Sequence, residues 1–327
     1  MTRMINWGIL GPGSIAHRFA TDLQQAPDAT LLAVGSRDGA KAAEFAAKYG
    51  APRAYGSYEE LVADDQIDII YVATPHTFHK AHTLLCLDHG KAVLCEKPLA
   101  VNATDATEMV ARARSKDLFL MEAMWTRHLP IMAKVRQWLA EKRIGDVRIV
   151  TADFGFRASL NPEGRLFNPA LAGGGLLDVG VYTIAFAQMV FGRAPTSIRA
   201  TAEILETGVD GQTAMILQYD RGELALLSCA VRVSTPQEAR IWGTEGSITI
   251  PDFWHATNAT LHVAGQEPLQ VSAAAGYHYE AIEADYCLRT GKRESALMTW
   301  EESLAVAGMM DAVRQQIGLV YPIERKR

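Results

Sequence analysis

Apolar residues are distributed along the chain with two different periods, and the change between them divides it. Through residue 123 the apolar positions fall in short, nearly continuous runs, at 5–10, 30–35, 67–73, 92–95 and 118–123. Nearly continuous runs of that length suit strands buried on both faces. Between them, at 16–25, 39–49, 57–64, 80–89 and 102–116, the spacing becomes helical. Strand and helix in alternation predict a doubly wound parallel α/β sheet, a Rossmann domain over residues 1–123.

From residue 124 the texture changes. A helix at 131–142 precedes long segments in which apolar and polar residues alternate, at 147–156, 197–205, 211–219, 224–233 and 239–250. Helices follow at 279–289 and 300–317, and a charged tail, 324–327, is expected to be loose. Alternation predicts strands with one covered face and one open face, so residues 124–327 read as an α+β domain with a large, mainly antiparallel open sheet. An open sheet face of that breadth predicts a homodimer built through it.

Composition narrows the chemistry. With 327 residues, 49% of them hydrophobic, the chain has material for two cores. A net charge of -5 argues against nucleic acid as the main partner, and against an anionic membrane surface. Cys86, Cys95, Cys229 and Cys287 are far apart and lack Cys-x-x-Cys spacing, so no disulfide framework or metal site is implied. No basic start precedes a long apolar segment and no uncharged run is long enough to span a bilayer, which predicts a soluble cytoplasmic protein.

Three stretches carry candidate chemistry. Gly11-Pro12-Gly13-Ser14-Ile15-Ala16 lies between the first strand and the first helix. This is a G-x-G-x-x-A loop: its glycines permit a tight turn and close approach to a diphosphate, with helix-start amides at Ser14 and Ile15 to receive it. The second strand ends in Ser36-Arg37-Asp38, where an NAD enzyme usually places an acid for the ribose hydroxyls. Ser36 and Arg37 suit a 2′-phosphate, so NADP is expected in preference to NAD, and Asp38 doubles as a helix cap. The third strand leads into Thr74-Pro75-His76-Thr77-Phe78-His79, a turn expected beneath the cofactor. His79 is either a structural histidine or a group near the nicotinamide.

The second stretch is Glu96-Lys97-Pro98, closing the strand at 92–95. An exposed Glu-Lys pair is the ordinary reading of such residues. At the carboxyl end of a strand in an open parallel sheet, they instead face the ligand crevice. The third is Gly173-Gly174-Gly175, opening a helix that carries Asp178 and Tyr182 four residues apart. Glycines here permit close approach of backbone to a ligand, and i,i+4 spacing puts the acid and the phenol on one face. Core packing is the competing reading for the tyrosine.

These motifs, in this order and at these separations, resemble the glucose-fructose oxidoreductase, inositol dehydrogenase and MocA family over essentially the whole chain. Residues 55–61, 92–98 and 118–127 most resemble its dimeric dihydrodiol dehydrogenases, NADP-dependent enzymes that also oxidise D-xylose and related pyranoses. Many relatives carry histidine at the position of Tyr182, the inositol dehydrogenases among them, which shifts the expected substrate from inositol toward sugars and dihydrodiols. The resemblance implies cofactor contacts from Thr74, Pro75, His79, Glu96, Lys97, Trp125 and Arg127 as well. It also implies a substrate pocket lined by Trp125, Phe154, Trp254 and Tyr279.

The reaction so implied moves hydride from a carbinol carbon, or from C1 of an aldopyranose, to the nicotinamide. Tyr182 is the expected proton acceptor, with Lys97 favouring its phenolate and binding the substrate oxygen, Asp178 orienting, and His79 assisting. The reverse assignment, Lys97 as the base, stays open. The competing functions are a cyclic polyol or keto-sugar dehydrogenase on the same fold and a noncatalytic NADP-binding sensor.

Overall fold

A computed structural model describes residues 3–325, which divide into two compact units. The first runs to Trp125 and takes in Gly276–Leu304; the second comprises Thr126–Ala275 and the chain from Ala305. The first break comes close to the expected boundary at residue 123. The return of Gly276–Leu304 to the first unit was not expected, and it has side-chain causes. Trp7 Nε1 donates to Asp285 at 3.1 Å, Trp300 Nε1 to the Leu120 carbonyl at 2.9 Å, and Leu120 N–H to the Arg293 carbonyl at 3.1 Å. Two buried indoles thus find acceptors they need only if this segment lies against the sheet.

Six parallel strands form the first sheet: β1 (Ile5–Leu10), β2 (Ala29–Gly35), β3 (Arg53–Tyr55), β4 (Ile69–Val72), β5 (Ala92–Glu96) and β6 (Leu120–Ala123). Their order is β3-β2-β1-β4-β5-β6, with the reversal between β1 and β4 that defines a nucleotide crevice. Every residue of β4, β5 and β6 is buried, as the nearly continuous apolar runs predicted. The crossovers are α1 (Ser14–Leu23), α2 (Gly39–Tyr49), α3 (Tyr58–Val62), α4 (His79–Asp88) and α5 (Ala103–Ser115). β3 escaped the sequence reading because it has three residues, too few to show a period.

In the second unit, α6 (Pro130–Ala140) precedes an eight-stranded sheet. Its strands are β7 (Val147–Gly155), β8 (Ser197–Ile204), β9 (Asp210–Gln218), β10 (Leu224–Ala230), β11 (Ala239–Gly243), β12 (Gly246–Ile250), β13 (Asn258–Val263) and β14 (Leu269–Ser272). They lie in the order β14-β13-β12-β11-β7-β10-β9-β8 and all pair antiparallel except β7 with β10. The expected single strand at 239–250 is a hairpin, β11 and β12, turning at Thr244-Glu245. Two strands with the same alternation on either side of a two-residue turn read as one in a periodicity count. Buried Thr213, Met215 and Leu217 on β9 alternate with exposed Gln212, Ala214, Ile216 and Gln218. The covered face packs on α7 (Val181–Phe191).

The stretch Pro169–Phe191 is apolar and long enough to cross a membrane by composition, but that window is 89% buried inside the unit and belongs to its core. α8 (His278–Arg289) and α9 (Trp300–Ile317) complete the chain. The tail is not loose as far as Glu324, which accepts from Arg314 Nη1 at 2.7 Å; Lys326 and Arg327 lie outside the described residues.

Candidate active site

In the first unit the glycine loop is shaped by what stands behind it. Gly11 has φ +91°, and a Cβ there would lie 2.8 Å from Thr74 Cγ2. Only glycine satisfies both restrictions. Gly13 enters α1 in an extended conformation, without a side-chain cap or an acid in the first turn. Gly13 and Ser14 are exposed and Ile15 half-buried, so the helix start presents amides and no competing carboxylate to an anion.

At the end of β2, Ser36 is buried and its Oγ accepts from the Asp38 N–H at 3.1 Å. The Asp38 carboxylate caps α2, accepting from the amides of Ala40 at 3.1 Å and Lys41 at 3.3 Å. Arg37 has its guanidinium 5.9 Å from the centre of the Phe78 ring. It also lies beside Tyr58, where burial pushes the phenol up and the guanidinium pulls the other way.

β5 ends in the turn that carries Lys97. Glu96 is buried and accepts from the Tyr71 hydroxyl with one oxygen and from the Lys97 N–H, at 3.1 Å, with the other. The Lys97-Pro98 peptide is cis. Within Glu96-Lys97-Pro98 only Lys97 is partly exposed. Beneath the turn, His79 is fully buried, with Nδ1 2.8 Å from the Pro98 carbonyl and Nε2 2.7 Å from the Thr74 carbonyl. Both ring nitrogens face backbone carbonyls, one from the Thr74 turn and one from the Pro98 turn, a placement that favours the structural of the two readings of His79.

Trp125 is 1% exposed and stacks on Tyr277 with ring centres 4.3 Å apart and planes at 22°. Tyr279, expected to line the substrate pocket, stands two residues on, half-buried against His278 at 4.1 Å. Both tyrosines belong to the first unit.

In the second unit Phe154, Trp254 and Tyr182 come together. Phe154 stacks on Trp254 with centres 5.0 Å apart and planes at 21°, and lies 5.4 Å from Tyr182. Trp254 Nε1 donates to Gln237 at 2.7 Å, and Gln237 donates in turn to the Gly155 carbonyl at 2.7 Å, which fixes the indole over β7. Tyr182 is 7% exposed. It stands in the first turn of α7, and the preceding Leu176–Gly180 is a π-helix, not the regular α-helix that the i,i+4 argument assumed. Such turns recur at functional sites. Asp178, also buried, accepts from Arg165 Nη1 at 2.8 Å. Arg165 escaped sequence reasoning because it sits in a loop without periodic pattern.

The triple glycine has a different cause from the one expected. A Cβ on Gly173 would come within 2.6 Å of the Arg165 and Leu166 carbonyls, and one on Gly174, where φ is +111°, within 2.2 Å of Asp210 Oδ1. The close approach is to the protein's own loop and to Asp210. That carboxylate accepts from the Leu176 N–H at 2.7 Å and from Thr213 Oγ1 at 2.8 Å, and burial lifts it to about 6. Arg127, expected at the cofactor, is buried in the second unit and donates to the Ala185 carbonyl of α7 at 2.9 Å. Its guanidinium braces the helix that carries Tyr182.

Comparison with known proteins accords with this geometry. Residues 5–124 match the oxidoreductase family with an NAD-binding Rossmann fold, and residues 132–249 match the GFO/IDH/MocA C-terminal domain. The chain is 41% identical to a trans-1,2-dihydrobenzene-1,2-diol dehydrogenase of Xenopus tropicalis, covering 97% of this chain and 99% of that one. It is 39% identical to the human protein of the same name, covering 98% and 99%. Among solved structures it resembles a 3-ketoreductase from Actinomadura kijaniata in complex with NADP and TDP-benzene, at a TM-score of 0.85 and 26% identity over 96% of this chain and 98% of that one. It shares its fold with an aldose-aldose oxidoreductase from Caulobacter crescentus, at a TM-score of 0.88 and 23% identity, covering 99% of each.

Proposed function

The chain belongs to the GFO/IDH/MocA oxidoreductase family, and from that premise we propose that it is an NADP-dependent dehydrogenase. Its substrate on this reading is a cyclic trans-dihydrodiol or an aldopyranose, oxidised at a carbinol or anomeric carbon. The carrying observation is the Phe154–Trp254 stack set against Tyr182. A flat apolar wall beside a buried phenol suits a ring substrate that offers one face for packing and one hydroxyl for chemistry. The names of the relatives at about 40% identity support the dihydrodiol.

The residues at the β1–α1 turn and at the end of β2 fit the cofactor. The amides of Ser14 and Ile15 receive the diphosphate, and Gly11 keeps the loop flat against Thr74. Ser36 and Arg37 receive the 2′-phosphate, while Asp38, the acid that would repel it, is occupied in capping α2. When bound, the dinucleotide supplies the hydride acceptor. Tyr182 takes the proton of the substrate hydroxyl as its C–H bond breaks. Lys97 is the second group proposed to act on the substrate oxygen. Asp178, held by Arg165, orients the diol or sugar. Oxidation leaves a carbonyl on the substrate and a proton on the protein.

Absorbance at 340 nm with NADP+ and a panel of a trans-dihydrodiol, D-xylose, D-glucose and myo-inositol tests the reading. Turnover with the first two supports it. Turnover with inositol alone moves the protein to the polyol branch, and silence with tight NADPH binding makes it a sensor. We also place the protein in the cytoplasm, and as a homodimer through the open face of the second sheet. There Ile149, Ile216 and Leu226 are 39%, 48% and 42% exposed, an apolar patch that a partner of the same chain would cover.

A further inference from the structure

The mechanism above gives no work to three buried groups of the first unit: Tyr71, Glu96 and Glu280. Tyr71 lies in β4 and is fully buried, and its hydroxyl donates to Glu96 Oε1. The other oxygen of Glu96 takes the backbone N–H of Lys97 at 3.1 Å. A continuous path of hydrogen bonds therefore runs from the neighbouring strand through one carboxylate to the peptide of the residue proposed to hold the substrate oxygen. We propose that Tyr71 is a positioning residue, acting through the Glu96 carboxylate to aim Lys97.

The charge balance around Glu96 supports this role. Glu280 of α8, Tyr277 just before it and Cys95 of β5 lie close enough to Glu96 to feel its charge; Arg18 and Asp22 of α1 face Tyr277 in turn, and Glu122 of β6 faces Cys95. Glu280 is fully buried, and burial together with Glu96 and Asp22 holds its carboxyl protonated well above the usual carboxylate range. Tyr71 and Tyr277 are pushed up as well, burial first and the nearby acids second, so both stay phenols that can donate. With the Tyr71 hydroxyl donating to one oxygen and the Lys97 N–H to the other, the Glu96 carboxylate is held from both sides beneath the Lys97 turn. A carboxylate with an O–H donor on one oxygen and an N–H on the other has few orientations left.

This inference rests on the proposed role of Lys97, and kinetics separates the two. Steady-state rates, NADPH affinity by fluorescence, thermal midpoint and the pH profile of kcat are measured for the wild type, Tyr71→Phe, Glu96→Gln and Lys97→Met. Loss of the Tyr71 donor is expected to lower kcat about tenfold, the worth of a hydrogen bond to a charged group, with NADPH affinity within about twofold. Because the donor favours the ionised form of Glu96, the acid limb of kcat moves to higher pH in Tyr71→Phe. In Glu96→Gln that limb disappears at a uniformly low rate. Wild-type kcat and an unmoved acid limb in Tyr71→Phe overturn the proposal even if Lys97→Met is inactive. If Tyr71→Phe does not fold, an unchanged acid limb in Glu96→Gln overturns it. Full turnover by Lys97→Met instead sinks the reading of Lys97 on which it depends.

Discussion

At the scale of the residue, the side chains proposed to carry the chemistry are held by buried neighbours. Tyr182 packs against Phe154, and the Glu96 carboxylate takes the Lys97 backbone N–H. Tyr182→Phe is expected to lower kcat by about 10²–10⁴-fold, the usual worth of a general acid or base, with NADPH affinity kept. Arg37→Glu is expected to reverse the cofactor preference, measured as the ratio of kcat/KM with NADP+ to that with NAD+, since an acid there repels the 2′-phosphate and accepts from a ribose hydroxyl. A ratio that stays above one sinks the assignment of Arg37. Sequence reasoning named Lys97, Asp178 and Tyr182 from the motifs that hold them, with Phe154 and Trp254 supplied by the resemblance. It missed Arg165, Tyr277 and the buried acids, because a loop arginine or a helix glutamate looks the same in a sequence whether it meets solvent or a carboxylate. His79 shows the converse: a histidine in a promising place proves to be held by two carbonyls.

At the scale of the element, periodicity revealed the central strands and not the marginal ones. β4, β5 and β6 are buried throughout, and apart from Glu96 and Glu122 their residues are apolar. β13 and β14 lie at the edge of the second sheet, where β14 has no buried residue to mark a period. The glycines before α7 are an instance of composition read correctly and explained wrongly. They do allow close approach, and what approaches is Asp210 and the loop at Arg165. Gly174→Ala adds a Cβ at φ +111°, 2.2 Å from Asp210 Oδ1, and is expected to cost about 2 kcal/mol or more of unfolding free energy, seen as a lower urea midpoint. An unchanged midpoint means that the turn is not held by this contact. The two-strand hairpin β11–β12 was legible as alternation, but the two residues that reverse it were not.

At the scale of the whole molecule, alternation of strand and helix followed by alternation along strands was enough to name both layers. It could not show that Gly276–Leu304 returns to the first unit, because the reasons are single polar contacts far apart in sequence, such as Trp7 with Asp285. That contact has a pH consequence. Burial lifts the Asp285 carboxyl from 3.8 to about 7, so folding favours its protonated form. The stabilisation is complete below about pH 4 and is lost as pH climbs through 7. Asp285→Asn keeps an acceptor for Trp7 without the charge, so its thermal midpoint relative to the wild type is expected to rise by a few degrees between pH 5 and pH 8. A difference that stays level over that range contradicts the buried-acid account. The open face of the second sheet makes the other prediction at this scale: Ile216→Asp with Leu226→Asp turns a dimer into a monomer by light scattering while each chain stays folded.

The central claim is that Lys97 and Tyr182 serve one hydride transfer to NADP+. The most direct measurement is the initial rate at 340 nm with NADP+ and trans-1,2-dihydrobenzene-1,2-diol, for the wild type, Lys97→Met, Tyr182→Phe and the double variant. Groups that act as a unit are not additive. Each single variant is therefore expected to lose about 10²-fold or more, and the double variant to lose little beyond the worse of the two. Near-normal turnover in either single variant, or losses that multiply in the double one, contradicts the claim.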